Sequence, residues 1–169
     1  VTAINSLARE IANLNQTIFI AKSRGSAPND LMDQRDTALM ELSKLTNLNL
    51  TREDDGTYTI AIDGQDLVRG SQANELTITS DVTPAFELEG AAVSINYGKI
   101  GALALAMGMA DSFISDINTF TETLIEEVNS RHLQGYDLYG MHATNDYATP
   151  QVFFSGADAS DIAVDATLL

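Results

Sequence analysis

The sequence contains no cysteine, and basic residues are scarce. Without cysteine the chain can form neither disulfides nor thiolate zinc sites, and it has no cysteine nucleophile. Lys and Arg together number 9 against 24 Asp and Glu, which gives a net charge of −15. A chain of this sign repels the phosphates of nucleic acids and the headgroups of anionic membranes. We therefore expect no nucleic-acid partner and no membrane partner.

Long apolar runs and a secretion signal are also lacking. The longest apolar run covers residues 100–110, which is shorter than the roughly 20 residues that span a bilayer. The first residues show no positively charged region followed by an apolar stretch, so no signal peptide is expected. The chain opens without Met inside a repeating pattern and stops inside a strand-like stretch. We expect an internal segment of a longer protein.

The N-terminal segment carries the clearest periodic pattern. Apolar side chains recur at alternating intervals of three and four, as in helices that pack along a heptad seam. Gly25 follows the pattern and can end a helix in the left-handed conformation. These features predict a helix over residues 2–24, packed on other helices of the same chain or, as the less favoured alternative, on a neighbouring subunit. The seam consists of Ile4, Leu7, Ile11, Leu14 and Ile18.

A second amphipathic helix is predicted after the turn at Pro28, which keeps the preceding residue out of the helical region. Asn29 or Asp30 can cap its start. Leu42 and Leu45 lie on its apolar stripe and extend the seam. Because the connection is short, we expect the two helices to form an antiparallel hairpin.

Residues 48–97 change to a period of two, which is typical of strands. Asp54-Asp55-Gly56 and Asp63-Gly64 fit the tight turns of hairpins. Further short strands are expected at 75–79, 85–88 and 91–97.

A third, long helix is predicted from about residue 100 to about 132. Its apolar face completes the seam and consists of Phe113, Ile117, Phe120 and Leu124. The remainder is rich in turn-forming residues, with strands expected at 151–154 and 161–164.

These elements predict an α+β fold, mainly α: an elongated helical bundle of two to three long helices with an inserted antiparallel β-hairpin module. Residues 1–133 are expected to form a helical rod domain that carries this module at about 48–97. Residues 134–169 are expected to be a connection and the start of a following, truncated β-rich domain.

Some polar groups contain the residue types of catalytic or metal sites. Ser130, His132 and Asp137 could be imagined as a hydrolytic site, but residues two apart on a helix point in different directions. His142 has no partner at a suitable spacing.

Two acidic groups also contain residue types found in such sites. Glu122, Glu126 and Glu127 could flank a glycosidic bond or bind a divalent cation, yet a solvated helix face explains them more simply. Asp30, Asp33 and Asp36 lack the glycine and the closing glutamate of a calcium loop, and they suit the start of a helix. We predict no catalytic residue, no cofactor-binding residue and no metal site.

Arg35 is the charged residue of most structural interest. It lies between Asp33 and Asp36, where a forked guanidinium could join two elements through carboxylate contacts. A structural clamp is the favoured interpretation, and a solvated charge is the alternative.

Several motifs occur in the order known from one protein family. Residues 29–36 read Asn-Asp-Leu-Met-Asp-Gln-Arg-Asp, residues 41–45 read Glu-Leu-Ser-Lys-Leu, and residues 98–101 read Gly-Lys-Ile-Gly. Together they resemble the family of the first flagellar hook-associated protein over nearly the whole chain. The motif residues are Asn29, Asp30, Leu31, Asp33, Gln34, Arg35 and Asp36.

The resemblance implies a structural subunit of the bacterial flagellum, secreted and extracellular, which assembles axially at the hook–filament junction. It implies as partners the hook protein, the second hook–filament junction protein and copies of itself in a helical lattice, with an export chaperone for the full-length protein. Because the family polymerises through terminal helices that lie outside this segment, the fragment alone is expected to be monomeric.

Two other interpretations stay open. One is another flagellar axial protein, such as flagellin or the second junction protein. The other is a secreted carbohydrate-active enzyme that uses the glutamate cluster at 122–127.

Overall fold

The structure, a computed structural model, describes residues 1–80, 84–136, 140–141 and 152–168. Helices and antiparallel sheets alternate along it, which confirms the α+β class. The chain divides into two compact units, residues 1–109 and residues 110–169, which are described separately. The helices are α1 Thr2–Ser23, α2 Asn29–Leu45 and α3 Gly98–His132.

The strands are short and lie in two places along the chain. Among the described residues, seven fall between α2 and α3 and two follow α3. Their bounds are β1 Asn49–Arg52, β2 Tyr58–Ile62, β3 Gln65–Arg69, β4 Gln72–Ala73, β5 Leu76–Ile78, β6 Phe86–Leu88, β7 Ala91–Val93, β8 Phe154–Ser155 and β9 Ala163–Val164, followed by a 3-10 turn at Ala166–Leu168.

Helix α1 ends as Gly25 predicts. Gly25 has a φ of 77°, and its N–H donates to the Lys22 carbonyl at 2.9 Å. The N–H of Ser26 donates to the Ala21 carbonyl at 3.0 Å. This pair of bonds satisfies carbonyls that the helix end would otherwise leave without donors.

Helix α2 begins differently from the prediction. It starts at Asn29, directly after Pro28, and no side chain caps its N-terminus. Asn29 and Asp30 already lie inside the first turn, so their side chains cannot take the capping position. Asp30 still places negative charge in the first turn, where the helix dipole favours it.

Helices α1 and α2 run antiparallel, as expected. Arg35, early in α2, contacts Asn15 in the second half of α1. Glu41, late in α2, lines a groove with Leu7 and Glu10 near the start of α1. Because later residues of α2 meet earlier residues of α1, the two helices form a hairpin across the connection 24–28.

The buried face of α1 differs from the predicted seam. Ile4, Ile11 and Ile18 are fully buried as expected, but Leu7 and Leu14 are only half-buried. The other buried positions are Asn5, Ala8, Ala12 and Asn15. Small and amide side chains let α1 approach α2 and the sheets closely, so the buried face is rotated away from the two leucines.

The core of the unit 1–109 is formed jointly by the helix hairpin and the strands. Strand residues contribute as much as helical ones, which the prediction of a helical bundle with an inserted module did not anticipate. The buried apolar residues are Ile4, Ala8, Ile11, Ala12, Ala38, Leu42, Ile60, Ile62, Leu67, Val68, Leu76, Phe86, Leu88, Val93 and Ile95.

Strands β1 to β4 form an antiparallel sheet in chain order. The turn between β1 and β2 falls at the expected Asp-Gly sequence, where Gly56 has a φ of 83° and its N–H donates to the Glu53 carbonyl at 2.9 Å. The second Asp-Gly sequence turns β2 into β3, with Asp63 and Gly64 both at positive φ. β5, β6 and β7 form a second antiparallel sheet.

Helix α3 begins where two glycines allow a close backbone approach. Gly98 has a φ of 73°, and a Cβ there would lie 2.6 Å from the Leu45 carbonyl carbon and from the Thr46 nitrogen. A Cβ at Gly101 would lie 2.6 Å from the Asn96 carbonyl carbon. These glycines let the start of α3 pack against the end of α2 and the segment that precedes α3.

In the unit 110–169, strands β8 and β9 pair antiparallel after α3. They begin a few residues later than the predicted segments. The turn between them is held by Asp161, whose Oδ1 accepts the N–H of Ala157 at 2.7 Å and that of Asp158 at 2.9 Å. These backbone hydrogen bonds, that of Asp158 first, lower the pKa of the Asp161 carboxyl group.

Candidate structural site: polar clamps between helices and strands

Arg35 is the largest fully buried side chain of the unit 1–109. Its Nη1 donates to Asn15 Oδ1 at 3.0 Å and to the Gly56 carbonyl at 3.0 Å. The guanidinium carbon lies 3.5 Å from the centroid of the Tyr58 ring, a distance at which a cation is attracted by the ring face. Arg35 therefore joins α2 to α1, to the β1–β2 turn and to β2.

The side-chain amide of Asn15 extends this contact into the sheet. Its Nδ2 donates to the carbonyls of Tyr58 and Gly70, both at 2.8 Å. Its Oδ1 accepts the N–H of Tyr58 at 3.1 Å as well as the Arg35 Nη1. The amide pairs with the N–H and the carbonyl of Tyr58 as the backbone of a neighbouring strand would. A side chain of α1 thus satisfies both backbone groups of the first residue of β2. We call Arg35, Asn15, Gly56, Tyr58 and Gly70 the Arg35 clamp.

The predicted clamp role of Arg35 is met, but the predicted partners are wrong. The recorded partners are an amide, a carbonyl and an aromatic face, and no carboxylate among the described residues pairs with Arg35. Asp33 and Asp36, its sequence neighbours, are exposed, because adjacent positions on a helix point to different sides. The Arg35 Nε is buried without a hydrogen-bond partner among these residues.

A second asparagine makes a similar contact at the other end of α1. Asn5 is buried, its Nδ2 donates to the Leu76 carbonyl at 2.9 Å, and its Oδ1 accepts the Leu76 N–H at 2.9 Å. Both hydrogen-bonding groups of a β5 residue are thus satisfied by one helix side chain. Asn47 repeats the arrangement, with Oδ1 accepting the Asn96 N–H at 3.1 Å and Nδ2 donating to the Ser94 carbonyl at 3.3 Å.

In the unit 110–169, Asn129 of α3 holds the start of β8. Its Oδ1 accepts the N–H groups of Phe153 at 2.9 Å and Phe154 at 2.8 Å, and its Nδ2 donates to the Phe154 carbonyl at 2.9 Å. The Phe153 ring packs edge-on against the His132 ring at 5.7 Å and against Phe154 at 4.8 Å. Here too an asparagine on a helix positions a short strand.

The sequence analysis does not identify Asn5 and Asn15 as buried residues that join α1 to the strands. A signal was present: Asn5, Ala8, Ala12 and Asn15 repeat the three-four spacing of the seam one position further along. An asparagine in register with small residues can lie on a buried face when backbone groups are available as partners.

The β1–β2 turn has its own charged anchor. Asp55 Oδ1 accepts the Thr57 hydroxyl at 2.7 Å and the Thr57 N–H at 2.8 Å. These two hydrogen bonds, the side-chain bond first, lower the pKa of the Asp55 carboxyl group, and the positive charge of Lys22 acts in the same direction. The bonds between Asp55 and Thr57 stabilise the turn that places the Gly56 carbonyl within hydrogen-bond distance of Arg35.

The predicted seam residues of α2 and α3 have different environments. Leu42 is fully buried, and Leu45 is partly buried against the same core. On α3, by contrast, the face expected to pack within the chain is exposed, with Phe113 at 65% and Phe120 at 68% exposure. Ile117 and Leu124 are exposed as well, so the described residues of the unit 110–169 do not bury this face, and its packing on other helices stays a prediction.

The family-motif residues divide by exposure. Arg35 alone is buried, and Leu31 is half-buried. The polar members Asn29, Asp30, Asp33, Gln34 and Asp36 are exposed. Within this motif, among the described residues, Arg35 is the one whose side chain forms hydrogen bonds with other elements.

The candidate residues for catalysis or metal binding do not assemble into a site in the described part of the chain. No group of three or more His, Asp or Glu side chains there is placed to hold a metal ion. Glu122, Glu126 and Glu127 are exposed on α3, and Ser130 is exposed. His132 packs on Phe153. Asp137 and His142 lie outside the described residues.

Helix α3 is the one described helix whose length and composition would suffice to cross a membrane. Over an 18-residue window its mean hydropathy is 1.4, and 6% of that window is buried. The apolar run 100–110 alone is too short for this, and any 18-residue window that contains it also contains Lys99 or Asp111. The helix qualifies by length and composition only. The absence of a membrane partner stays a prediction.

The fold is a helix hairpin joined to two small antiparallel sheets by buried polar side chains. The sequence model for the helical domain of the flagellar hook-associated protein FlgK matches residues 1–147. The chain belongs to this family, which confirms the resemblance seen in the sequence.

Known relatives agree with the family. The chain is 29% identical to flagellar hook-associated protein 1 of Escherichia coli (strain K12), over 99% of this chain and 34% of that protein. The protein of the same name from Salmonella typhimurium is also 29% identical, over 99% of this chain and 33% of that protein. The chain therefore spans about a third of the length of these relatives.

A solved structure shows the same fold. The flagellar hook junction protein FlgK from Burkholderia pseudomallei superposes with a TM-score of 0.71 at 26% identity. The match covers 91% of this chain and 29% of that one.

Proposed function

We propose that this chain is part of a structural subunit at the hook–filament junction of a bacterial flagellum. The observation that carries the proposal is the match of residues 1–147 to the helical domain of the flagellar hook-associated protein FlgK. The described residues are consistent with a scaffold, since Arg35, Asn5 and Asn15 are each occupied by contacts between elements.

The proposed mechanism is mechanical. Arg35, Asn15 and Asn5 hold the α1–α2 hairpin to both sheets of the unit 1–109, so these elements move as one piece. In the complete protein we propose that the helices contribute to an elongated bundle, with residues 1–133 as a rod domain and 134–169 leading into a β-rich domain. A piece of fixed internal geometry can set the orientation of neighbouring subunits in a helical assembly.

The proposed partners are the hook protein, the second hook–filament junction protein and further copies of the same subunit, outside the cell. An export chaperone would bind the full-length protein before secretion. We propose no enzymatic activity: the relatives are named as hook-associated proteins, and Glu122 and Glu126 are exposed on a helix surface. The family match favours this function over flagellin or the second junction protein.

The experiment is a deletion of the encoding gene in its own organism, followed by electron microscopy of the flagella. We expect hooks that carry no filament, and restoration of filaments by the wild-type gene. Filaments of normal number and length in the deletion strain would overturn the proposal.

Complementation with Arg35→Ala in the full-length protein tests whether the clamp matters to assembly, with Asp36→Ala as the exposed control on the same helix. We expect a smaller fraction of hooks to carry a filament with Arg35→Ala, and the wild-type fraction with Asp36→Ala. Equal filament numbers for the two variants would refute the mechanical role of the clamp while leaving the junction assignment intact.

A further inference from the structure

The sequence contains two Asp-Gly pairs, and both lie in hairpin turns. Asp55-Gly56 connects β1 to β2, and Asp63-Gly64 connects β2 to β3. An aspartate isomerises most readily before glycine, because glycine has no side chain to hinder the attack of its nitrogen on the aspartyl carboxyl carbon. The two pairs are chemically the same, so any difference in their reactivity comes from the fold around them.

The isomerisation requires a neutral carboxyl group, a free N–H on the glycine and room for the two to meet. The glycine nitrogen bonds to the aspartyl Cγ, and the carboxyl hydroxyl leaves with the amide hydrogen as one water molecule. Water then opens the cyclic succinimide at either carbonyl. Opening at the side-chain carbonyl restores aspartate. Opening at the main-chain carbonyl gives isoaspartate, in which the backbone passes through Cβ and the α-carboxyl group is free.

The fold opposes each of these requirements at Asp55-Gly56. The hydrogen bonds from the Thr57 hydroxyl and N–H hold the Asp55 carboxylate, and they lower its pKa and so keep it ionised. The Gly56 N–H already donates to the Glu53 carbonyl at 2.9 Å. The Gly56 carbonyl accepts Arg35 Nη1 at 3.0 Å, and Gly56 is buried. The peptide group of this turn is therefore fixed on both sides.

The Asp63-Gly64 turn is held by much less. Both residues are exposed, and one printed contact restrains the carboxylate: Asp63 Oδ2 accepts the Ser94 N–H at 3.0 Å. In the part of the chain that the structure describes, the Gly64 N–H donates no hydrogen bond. Nothing lies within 4 Å of a Cβ placed at Gly64, so the turn can rotate without meeting a neighbour. Asp63 also has a φ of 51°, which is unfavourable for a residue with a side chain.

We propose that Asp63-Gly64 is a site of spontaneous isoaspartate formation in the folded chain and that the fold protects Asp55-Gly56 from the same reaction. The product has one more methylene in the backbone of the β2–β3 turn, so its carboxylate leaves the position in which it accepts the Ser94 N–H. Isomerisation thus releases the turn from the segment that follows β7. The proposal rests on hydrogen bonding and exposure, and it does not depend on the junction assignment.

The test is prolonged incubation of the whole chain in mildly acidic buffer, below the temperature at which it unfolds. Trypsin then releases both sites in one peptide, residues 53–69, because Arg52 and Arg69 bound it. Electron-transfer fragmentation of that peptide distinguishes isoaspartate from aspartate at each position. We expect about tenfold more isoaspartate at Asp63 than at Asp55, since reaction at Asp55 first requires the loss of its hydrogen bonds.

Three controls separate the effect of the fold from that of the sequence. A synthetic peptide of residues 53–69, which lacks the fold, should form isoaspartate at both positions at comparable rates. Asp63→Glu should abolish the product at position 63, because glutamate would have to close a larger ring, and should leave Asp55 unchanged. Thr57→Val removes the hydroxyl that donates to Asp55 and should raise isoaspartate at Asp55 several-fold without changing Asp63. Circular dichroism should show wild-type helix content for both variants.

The outcomes that would overturn the proposal are distinct. Equal isoaspartate at Asp55 and Asp63 in the folded chain would mean that the reaction runs through the unfolded state. A lack of product at Asp63, under conditions in which the free peptide reacts, would mean that the Ser94 contact is sufficient protection. Hydrogen exchange of the Ser94 amide should be faster in the isomerised fraction than in the fresh chain. Unchanged exchange would overturn the proposed release of the turn.

Discussion

At the scale of single residues, the unit 1–109 depends on a few polar side chains that are buried and hydrogen-bonded. Arg35 and Asn15 are both fully buried, and between them they contact α2, α1, the β1–β2 turn and the ends of β2 and β3. A buried polar group costs free energy when it loses its partner. The clamp therefore favours the one arrangement of hairpin and sheet in which its partners are present.

Replacing Arg35 with Met should destabilise the chain by about 1–3 kcal/mol, because the Gly56 carbonyl loses its buried donor and Tyr58 loses the stacked cation. Urea denaturation followed by circular dichroism measures the change. Asp36→Asn, an exposed change on the same helix, should stay within about 0.5 kcal/mol of the wild type. An Arg35→Met chain as stable as the wild type would mean that the free-energy cost of desolvating the guanidinium equals the stabilisation from its contacts.

The Asn15→Asp variant tests whether the amide donors matter more than charge pairing with Arg35. The new carboxylate would lie beside Arg35 Nη1, but the carbonyls of Tyr58 and Gly70 would lose their donor and face a negative oxygen. We expect destabilisation of about 2–4 kcal/mol at neutral pH, measured by urea denaturation. Asn13→Asp, on the exposed side of α1, is the matched control. A more stable Asn15→Asp chain would show that a buried ion pair is the stronger interaction here.

At the scale of elements, the connections are determined by glycines and by short polar turns. Gly98 joins the end of the strand segment to α3 at a positive φ and in contact with backbone atoms of Leu45 and Thr46. The β1–β2 turn is held by the hydrogen bonds of Asp55, and its Gly56 carbonyl accepts a hydrogen bond from Arg35 Nη1. Both connections determine how a helix meets its neighbours.

Gly98→Ala should cost at least about 2 kcal/mol, since the residue is in the left-handed region and its Cβ would meet immobile backbone. Gly108→Ala is the control in the same helix, because nothing lies within 4 Å of a Cβ there. That change should stabilise the chain by about 0.5–1 kcal/mol. Thermal denaturation of both variants checks the pair, and equal midpoints would argue against the close approach.

The Asp55 turn should make stability depend on pH. The pKa of the Asp55 carboxyl group is lower in the folded chain than the ordinary value of 3.8. Its contribution is therefore present above that value and is lost as the pH falls through the folded pKa. We expect Asp55→Ala to be less stable than the wild type at neutral pH and the difference to shrink progressively in acid. Urea midpoints measured from pH 7 to pH 2 check this, and a difference that grows in acid would contradict it.

At the scale of the whole molecule, charge is the dominant global property. A net charge of −15 on 169 residues means that the folded chain repels itself, and salt screens this repulsion. The charge balance of the chain thus acts on the stability of the fold.

Raising NaCl from low to moderate concentration should raise the thermal midpoint of the chain, because screening weakens repulsion between carboxylates. Sucrose at matched osmolality controls for general solute exclusion. Calorimetry at neutral pH measures both. A midpoint that falls with NaCl would mean that attractive charge pairs, and not repulsion, dominate the electrostatic free energy.

The element pattern was predictable because it depends on local periodicity. The spacing of Ile4, Ile11 and Ile18 predicts α1, and the Asp-Gly sequences at 55–56 and 63–64 predict two of the turns that the structure contains. The clamp was predictable only in part. Arg35 could be identified as a candidate from its position among acidic residues, but its partners come from α1 and from strands twenty or more residues away in sequence.

The sequence by itself determined the α+β class, the order of helices and strands and the family, because periodicity, turn residues and motif order are properties of neighbouring positions. Only the tertiary structure decided that Asn5 and Asn15 are buried, that Leu7 and Leu14 lie at the margin of the core, and that Arg35 binds neutral groups. The physical reason is that burial depends on which surfaces meet. A helix with two adjacent apolar or small stripes can bury either one, and the strands that offer free backbone groups decide which.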